Sequence, residues 1–389
     1  VTWSGYFDAN ATTPLWPVVR ERYLEALDTT WQNASSLYHA AGAARRELEG
    51  AREELADALG IGQPERIVFG SGATESANLV FRHLAAKSAP DAKVMISPLE
   101  HPCVRDAAFD CFPGRVIPAP LDGSGAVDVE ATAARLERDR PVLLSVMAAN
   151  NETGALQPWR ELGEIARGLG IPYHCDAAQW LGKMPLEGVG SVDWLTGSGH
   201  KFGAPKGTGF LVVPEGIDRL RGASVGGAQE SGRRAGTENV PGILAMMTGL
   251  TEAGNLLSQV SGEARDEFEE RILRSIPGTR VVGDDGPRLW NTSMLVLPAF
   301  SNLSWLTRLS HLGFQVSTGS ACSAGKGHPS HVMEAMGLSP DEMGRVLRAS
   351  ALWSAGPDEW SGLAAALEGV WTELCQPSGE AREKRRLRL

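Results

Sequence analysis

The chain has 389 residues, with 47 acidic residues against 37 Lys and Arg and a formal charge of −10. That balance excludes a general nucleic-acid binder, which needs a broad basic face, and no apolar run is long enough to span a bilayer. A content of 42% hydrophobic and 22% charged residues suits a globular protein with room for one large domain and a smaller one. The five cysteines, at positions 103, 111, 175, 322 and 375, are odd in number and contain no CxxC pair. They point to reduced thiols rather than to a disulfide framework or a structural zinc. With no secretory pattern at Val1-Thr2-Trp3, a cytoplasmic location is expected.

Two helices are expected first, over Trp16–Leu27 and Ala43–Leu59, the second stopping at Gly60. From about residue 65 to 215, short apolar strands then alternate with amphipathic helices. The strands fall at Arg66–Phe69, Lys93–Ser97, Val142–Met147, Ile171–Cys175, Val192–Thr196 and Gly209–Val213, with crossover helices such as Thr74–Ala86 and Trp159–Leu169. This alternation is the pattern of a mainly parallel sheet covered on both faces. A helix over Val240–Leu257 leads to shorter strands at Asn291–Val296 and Gln315–Ser317 flanked by helices. The fold class is therefore α/β, with a large domain over residues 16–255. A smaller α+β C-terminal domain takes residues 256–389, together with 1–15.

Several segments in that frame carry chemistry. Gly70-Ser71-Gly72-Ala73-Thr74 joins a strand to a helix, where glycines let backbone N–H groups approach an anion. It lacks a Gly-Lys-Ser/Thr ending, so a single phosphate fits better than a nucleoside triphosphate. Glu100-His101-Pro102 follows the next strand, and a His there can stack on a flat ring or move protons near neutral pH. Asn150 to Gly154 lies at the carboxyl edge of the sheet, where open α/β sheets bind ligands. His174-Cys175-Asp176 alternates faces along a strand and has no further ligands at suitable spacing, so no metal is expected. Lys201, one of only seven lysines, lies between glycine-rich segments 25 positions beyond Asp176. A Lys able to form a Schiff base and an Asp able to hold a pyridinium proton are the minimum equipment for pyridoxal 5'-phosphate (PLP) chemistry. Cys322 lies among small residues in Ser317 to Pro329, the composition of an accessible loop. An ordinary thiol is only a few per cent thiolate at pH 7, so a nucleophilic role needs help from Lys326, His328 or the cofactor.

Taken together, these segments resemble the cysteine desulfurases, in the fold type I, class V aminotransferase-like group of PLP enzymes. The resemblance runs from Asp8-Ala9-Asn10-Ala11-Thr12-Thr13-Pro14 to Arg348. Between them it takes in Asn33 to Ser36, Ser71 to Ser76, Asn150 to Gly154, Asp176 to Gln179, Ser198 to Lys201, Gly232 to Asn239, Ser320-Ala321-Cys322 and Ser330-His331-Val332. It implies a PLP-binding domain with a mainly parallel seven-stranded sheet flanked by helices, and a small domain carrying the Cys loop. Lys201 would hold PLP, Asp176 would pair with the ring nitrogen and Gln179 would contact the ring hydroxyl. His101 would stack on the ring and assist proton transfer. Ala73, Thr74, Ser198 and His200 would bind the phosphate, and Thr237 would reach the phosphate of a second subunit, making a homodimer with shared sites. Asn151 and Arg348 would hold the carboxylate of L-cysteine. Cys322 would take the sulfur as a persulfide and pass it to an acceptor protein.

The same resemblance admits a selenocysteine lyase, or a non-catalytic sulfur-transfer scaffold of the same fold. It does not encode the acceptor. The chain departs from the family pattern after Arg348, where it reads Ala349-Ser350-Ala351-Leu352-Trp353 in place of the usual Ser-Leu-Gly. That bulk is expected to alter packing beneath the carboxylate site.

Overall fold

The structure, a computed structural model, describes residues 3–319 and 330–376. Its main sheet contains β1 (Ile67–Gly70), β2 (Val94–Ile96), β3 (Val116–Pro118), β4 (Leu144–Ser145), β5 (Tyr173–Asp176), β6 (Trp194–Ser198) and β7 (Gly209–Val212). The spatial order is β1-β7-β6-β5-β4-β2-β3. The strands from β3 to β6 pair in parallel, and β7 runs antiparallel to both β6 and β1. A second sheet, of order β10-β9-β8, is antiparallel and contains β8 (Arg280–Val281), β9 (Thr292–Val296) and β10 (Val346–Ser350).

Around the sheets lie α1 (Pro17–Thr29), α2 (His39–Leu59), α3 (Ala73–Lys87), α4 (Pro102–Cys111), α5 (Val129–Asp139) and α6 (Trp159–Gly168). They are followed by α7 (Val240–Leu256), α8 (Glu263–Ser275), α9 (Asn302–His311), α10 (His331–Ala335), α11 (Pro340–Met343) and α12 (Pro357–Cys375). Strand periodicity divides the main sheet between two cores. Ile67, Phe69, Tyr173, Leu195, Phe210 and Val212 face α2, α6 and α7. Val68, Val94, Ile96, Trp194 and Leu211 face α3 and α4. Helix α7 is buried from Val240 to Met247 and again at Gly249, Leu250 and Ala253, so that only a narrow stripe around Thr251 faces solvent. Gly60, in the left-handed region at φ 71°, closes α2 with Ile61 N–H donating back to Ala56, as an αL cap does.

A third core lies behind the small sheet, between it and α8, α9 and α12. Phe7 joins that core at 1% exposure, and truncating such a ring typically costs about 3–5 kcal/mol. The N-terminal segment is stitched to the C-terminal region by Phe7 N–H to Gln315 O (2.8 Å) and Ala9 N–H to Ser350 O (2.9 Å). It then crosses to the main sheet, where Thr13 N–H donates to His200 O at 2.9 Å.

The expected strand at Gln315–Ser317 exists only as two isolated bridges, Tyr6 with Gln315 and Ser317 with Arg348. Strands β3, β8 and β10 were not anticipated. The first two are three and two residues long, too short to show a period, and β3 ends at a proline.

Candidate active site

A cavity of about 480 Å³ opens at the carboxyl ends of the parallel strands. The turn after β1 supplies its first wall. Gly72 adopts φ 141°, and a Cβ there would lie 3.1 Å from Ser198 Oγ. The bare backbone therefore lets α3 start at Ala73, with the first-turn amides of Ala73 and Thr74 at the cavity. Ser71 N–H is already taken by Glu75 Oε2 at 2.7 Å, and Glu75 Oε1 accepts from Arg234 Nε at 2.7 Å. Burial works to raise the Glu75 pKa, but these donors hold it below the usual carboxylate range.

His101 caps α4, accepting Cys103 N–H on its own Nδ1 at 3.2 Å. In the neutral ring the proton is therefore on Nε2. Burial, then Lys201 and His331, lower its pKa to about 4, so the ring is neutral near pH 7. His200 is lowered to about 4 in the same way, by burial first and Lys201 second. Its Nδ1 meets Thr12 Oγ1 at 3.1 Å.

Asp176, at the end of β5, accepts Ala178 N–H at 2.9 Å and faces Cys103 Sγ at 3.9 Å. Burial raises its pKa, and among the described residues no Lys or Arg pairs with it. The Lys201 amine donates instead to the backbone carbonyls of Asn10 (2.7 Å) and Ala11 (2.9 Å). Burial, then the charge of Arg348, lower its pKa to about 8.

Nine of the expected residues line this one cavity: Ala73, Thr74 and His101; Asn151, Asp176 and Gln179; and Ser198, His200 and Lys201. Among the described residues the buried Asn151 Oδ1 has no partner there. Two others lie elsewhere. Arg348, on β10, is 2% exposed and donates to Asp8 Oδ1 (2.6 Å), Asn151 O (2.8 Å) and Gly319 O (3.0 Å). Among the described residues its Nε has no partner. Thr237 is exposed on the segment before α7. Cys322 lies outside the described residues.

Cys103, which had no expected role, stands on the cavity wall beside Asp176. Asn10 was visible only as part of an N-terminal motif, yet its carbonyl holds the Lys201 amine. Leu352 and Trp353 are buried in the main core, with Trp353 Nε1 donating to Gly182 O at 2.8 Å.

The family model for class-V aminotransferases matches residues 5–356. A curated cysteine desulfurase of Klebsiella pneumoniae is 38% identical over 339 residues, covering 86% of this chain and 84% of its own. The chain belongs to the cysteine desulfurase family. The solved structures similar to this desulfurase-family chain include a NifS-like protein, with a TM-score of 0.85 and 28% identity over 95% of this chain and 99% of that one. SspA, solved in complex with cysteine, has a TM-score of 0.76 and 29% identity over 89% of this chain and 98% of that one. Among the described residues no helix of this family member is long and apolar enough to cross a membrane, and no group of His, Cys, Asp and Glu could hold a metal ion.

Proposed function

We propose that the chain is a PLP-dependent cysteine desulfurase that converts L-cysteine to L-alanine and passes the sulfur on through Cys322. The observation that carries this reading is the pairing, in one cavity, of a lysine amine whose pKa is lowered to about 8 with a buried carboxyl that, among the described residues, forms no ion pair with a Lys or Arg. Such a carboxyl suits a protonated ring nitrogen, and an amine near pH 8 is neutral often enough to attack an aldehyde. The Gly72 cradle and the amides of Ala73 and Thr74, with Ser198 and His200, suit a phosphate monoester. Gln179 suits the ring hydroxyl. Residues and cofactor therefore fit.

When bound there, PLP supplies an electron sink for a carbanion at the substrate Cα. Lys201 takes the Cα proton and returns a proton later. Asp176 would pair with the protonated ring nitrogen, and His101, neutral and protonated on Nε2, would donate and receive protons at the cavity wall. Asn151 and Arg348 hold the substrate carboxylate, for which a planar guanidinium is well matched. Cys322 thiolate attacks the substrate sulfur, and the C–S bond breaks with its electron pair left on carbon. Protonation of that carbon gives alanine and leaves a persulfide on Cys322 for an acceptor protein. A homodimer in which Thr237 reaches the partner's phosphate completes the proposal.

The test is reconstitution of the apoprotein with PLP, borohydride reduction and peptide mapping. Alanine and sulfide are then measured from L-cysteine with a reductant. A PLP adduct at Lys201 and equal amounts of both products support the reading. An adduct elsewhere, or no products from a loaded protein, overturns it.

A further inference from the structure

Four positions beyond Gln179, a second lysine lies behind the cavity wall. Lys183 is 1% exposed, and among the described residues no carboxylate pairs with it. Its Nζ donates to Asn10 Oδ1 at 2.9 Å and to Gln179 Oε1. Buried lysines are rare unless an acid compensates them. Here burial, with Lys201 and Arg348 adding to it, pushes the amine well below its ordinary pKa. Two of its N–H groups find an acceptor, Asn10 Oδ1 and Gln179 Oε1.

Those two bonds decide how two amides point. Because Gln179 Oε1 faces Lys183, Gln179 Nε2 is the end that donates to Asn10 O, at 2.9 Å. Turning the amide over would set oxygen against the Asn10 carbonyl and take away the oxygen that now accepts from Lys183. Asn10 is fixed likewise: with Oδ1 on Lys183, its Nδ2 donates to Asn151 O (3.2 Å) and Thr292 Oγ1 (2.9 Å). The same Asn10 carbonyl that receives Gln179 also receives the Lys201 amine, at 2.7 Å. One closed set of hydrogen bonds thus joins Lys183, Gln179, Asn10 and Lys201.

The turn that carries Lys183 is itself clamped. Trp353 Nε1 donates to Gly182 O at 2.8 Å, and Trp290 Nε1 donates to Lys183 O at 3.1 Å. Gly182 has φ 72°, and a Cβ there would lie 2.6 Å from Phe202 Cβ, so the backbone has little room to shift. Trp353 belongs to the stretch that departs from the family pattern.

We propose that Lys183 is a positioning residue for the cofactor site: its amine sets the orientation of the Gln179 and Asn10 amides, and through Asn10 the seat of the Lys201 amine. This rests on the reading of the cavity as a PLP site.

The experiment is a double-mutant cycle with Lys183→Met, which keeps the stem and removes both donors, and Gln179→Ala. The visible absorption band of the PLP-loaded proteins, the rate of PLP release and the melting temperatures of the apoproteins are measured. Lys183→Met is expected to shift the band and to speed PLP release about tenfold, and to add clearly less than that in the Gln179→Ala background, where only the route through Asn10 remains. A band and release rate equal to wild type overturn the proposal, even if the melting temperature falls. Effects that simply multiply in the double variant overturn it too. If the Met variant does not fold, Lys183→Leu, which also lacks both donors, is carried through the same cycle and judged by the same results. A wild-type chain that takes up no PLP at Lys201 would instead remove the parent reading.

Discussion

Lys201 is held by the backbone carbonyl of Asn10, 2.7 Å from its amine, and not by a carboxylate. A lysine seated on neutral carbonyls in a buried cavity gives up its proton readily. Competitive acetylation of the apoprotein should therefore give Lys201 a midpoint near pH 8, against about 10.4 for an unperturbed lysine. Because the folded pKa lies below the unfolded one, this group's contribution to stability grows as pH rises through that interval. A midpoint in the ordinary lysine range would contradict the account.

The backbone at Gly72 can be tested by chemistry that separates phosphate from ring. Gly72→Ala places a methyl 3.1 Å from Ser198 Oγ at φ 141°, a conformation that disfavours any side chain. Affinity for PLP should fall about tenfold or more, while affinity for pyridoxal, which lacks the phosphate, changes little. Equal losses for both ligands would show that the turn does not serve the phosphate.

Arg348 gives a different kind of test, because its guanidinium is already paired with Asp8 at 2.6 Å. Arg348→Lys keeps the charge and loses the planar fork. Steady-state kinetics should show KM for L-cysteine raised on the order of tenfold with PLP content unchanged. An unchanged KM would remove Arg348 from substrate binding.

Outside the cavity, Arg52 and Glu230 form a buried pair at 2.8 Å, and Glu230 also accepts Phe69 N–H from β1 at 2.8 Å. Glu230→Gln should leave Arg52 with only the half-exposed Glu49, at 3.0 Å, as counter-charge and lower stability by about 3 kcal/mol, since breaking a buried pair costs 3–5 kcal/mol. Denaturant unfolding of the apoprotein reads this directly. A change under about 1 kcal/mol would mean that the pair is relaxed by water or by Glu49.

The parallel sheet was legible because β2, β5, β6 and their crossover helices carry strong local periods. The motifs at the strand ends, from Ala73 to Lys201, were legible because their residue types are chemically unusual in loops. What could not be read was long-range. Nothing local marks Asn10 as the acceptor for a lysine 191 positions away, or Trp353 as a donor to Gly182. Strand β10 escaped because Arg348, an arginine, occupies a fully buried strand position. Lys183 lay in plain view beside Gln179, yet only burial distinguishes it from a surface lysine.

The central claim is that substrate sulfur leaves as a persulfide on Cys322. The direct measurement is a single turnover of the PLP-loaded protein with L-cysteine and no reductant, followed by peptide mass mapping and alanine quantification. One alanine per loaded site, one added sulfur on the Cys322 peptide, and neither alanine nor added sulfur from Cys322→Ala are the predicted results. Alanine formed at the wild-type rate by Cys322→Ala, or sulfur found on another cysteine while Cys322 stays unmodified, would contradict the account.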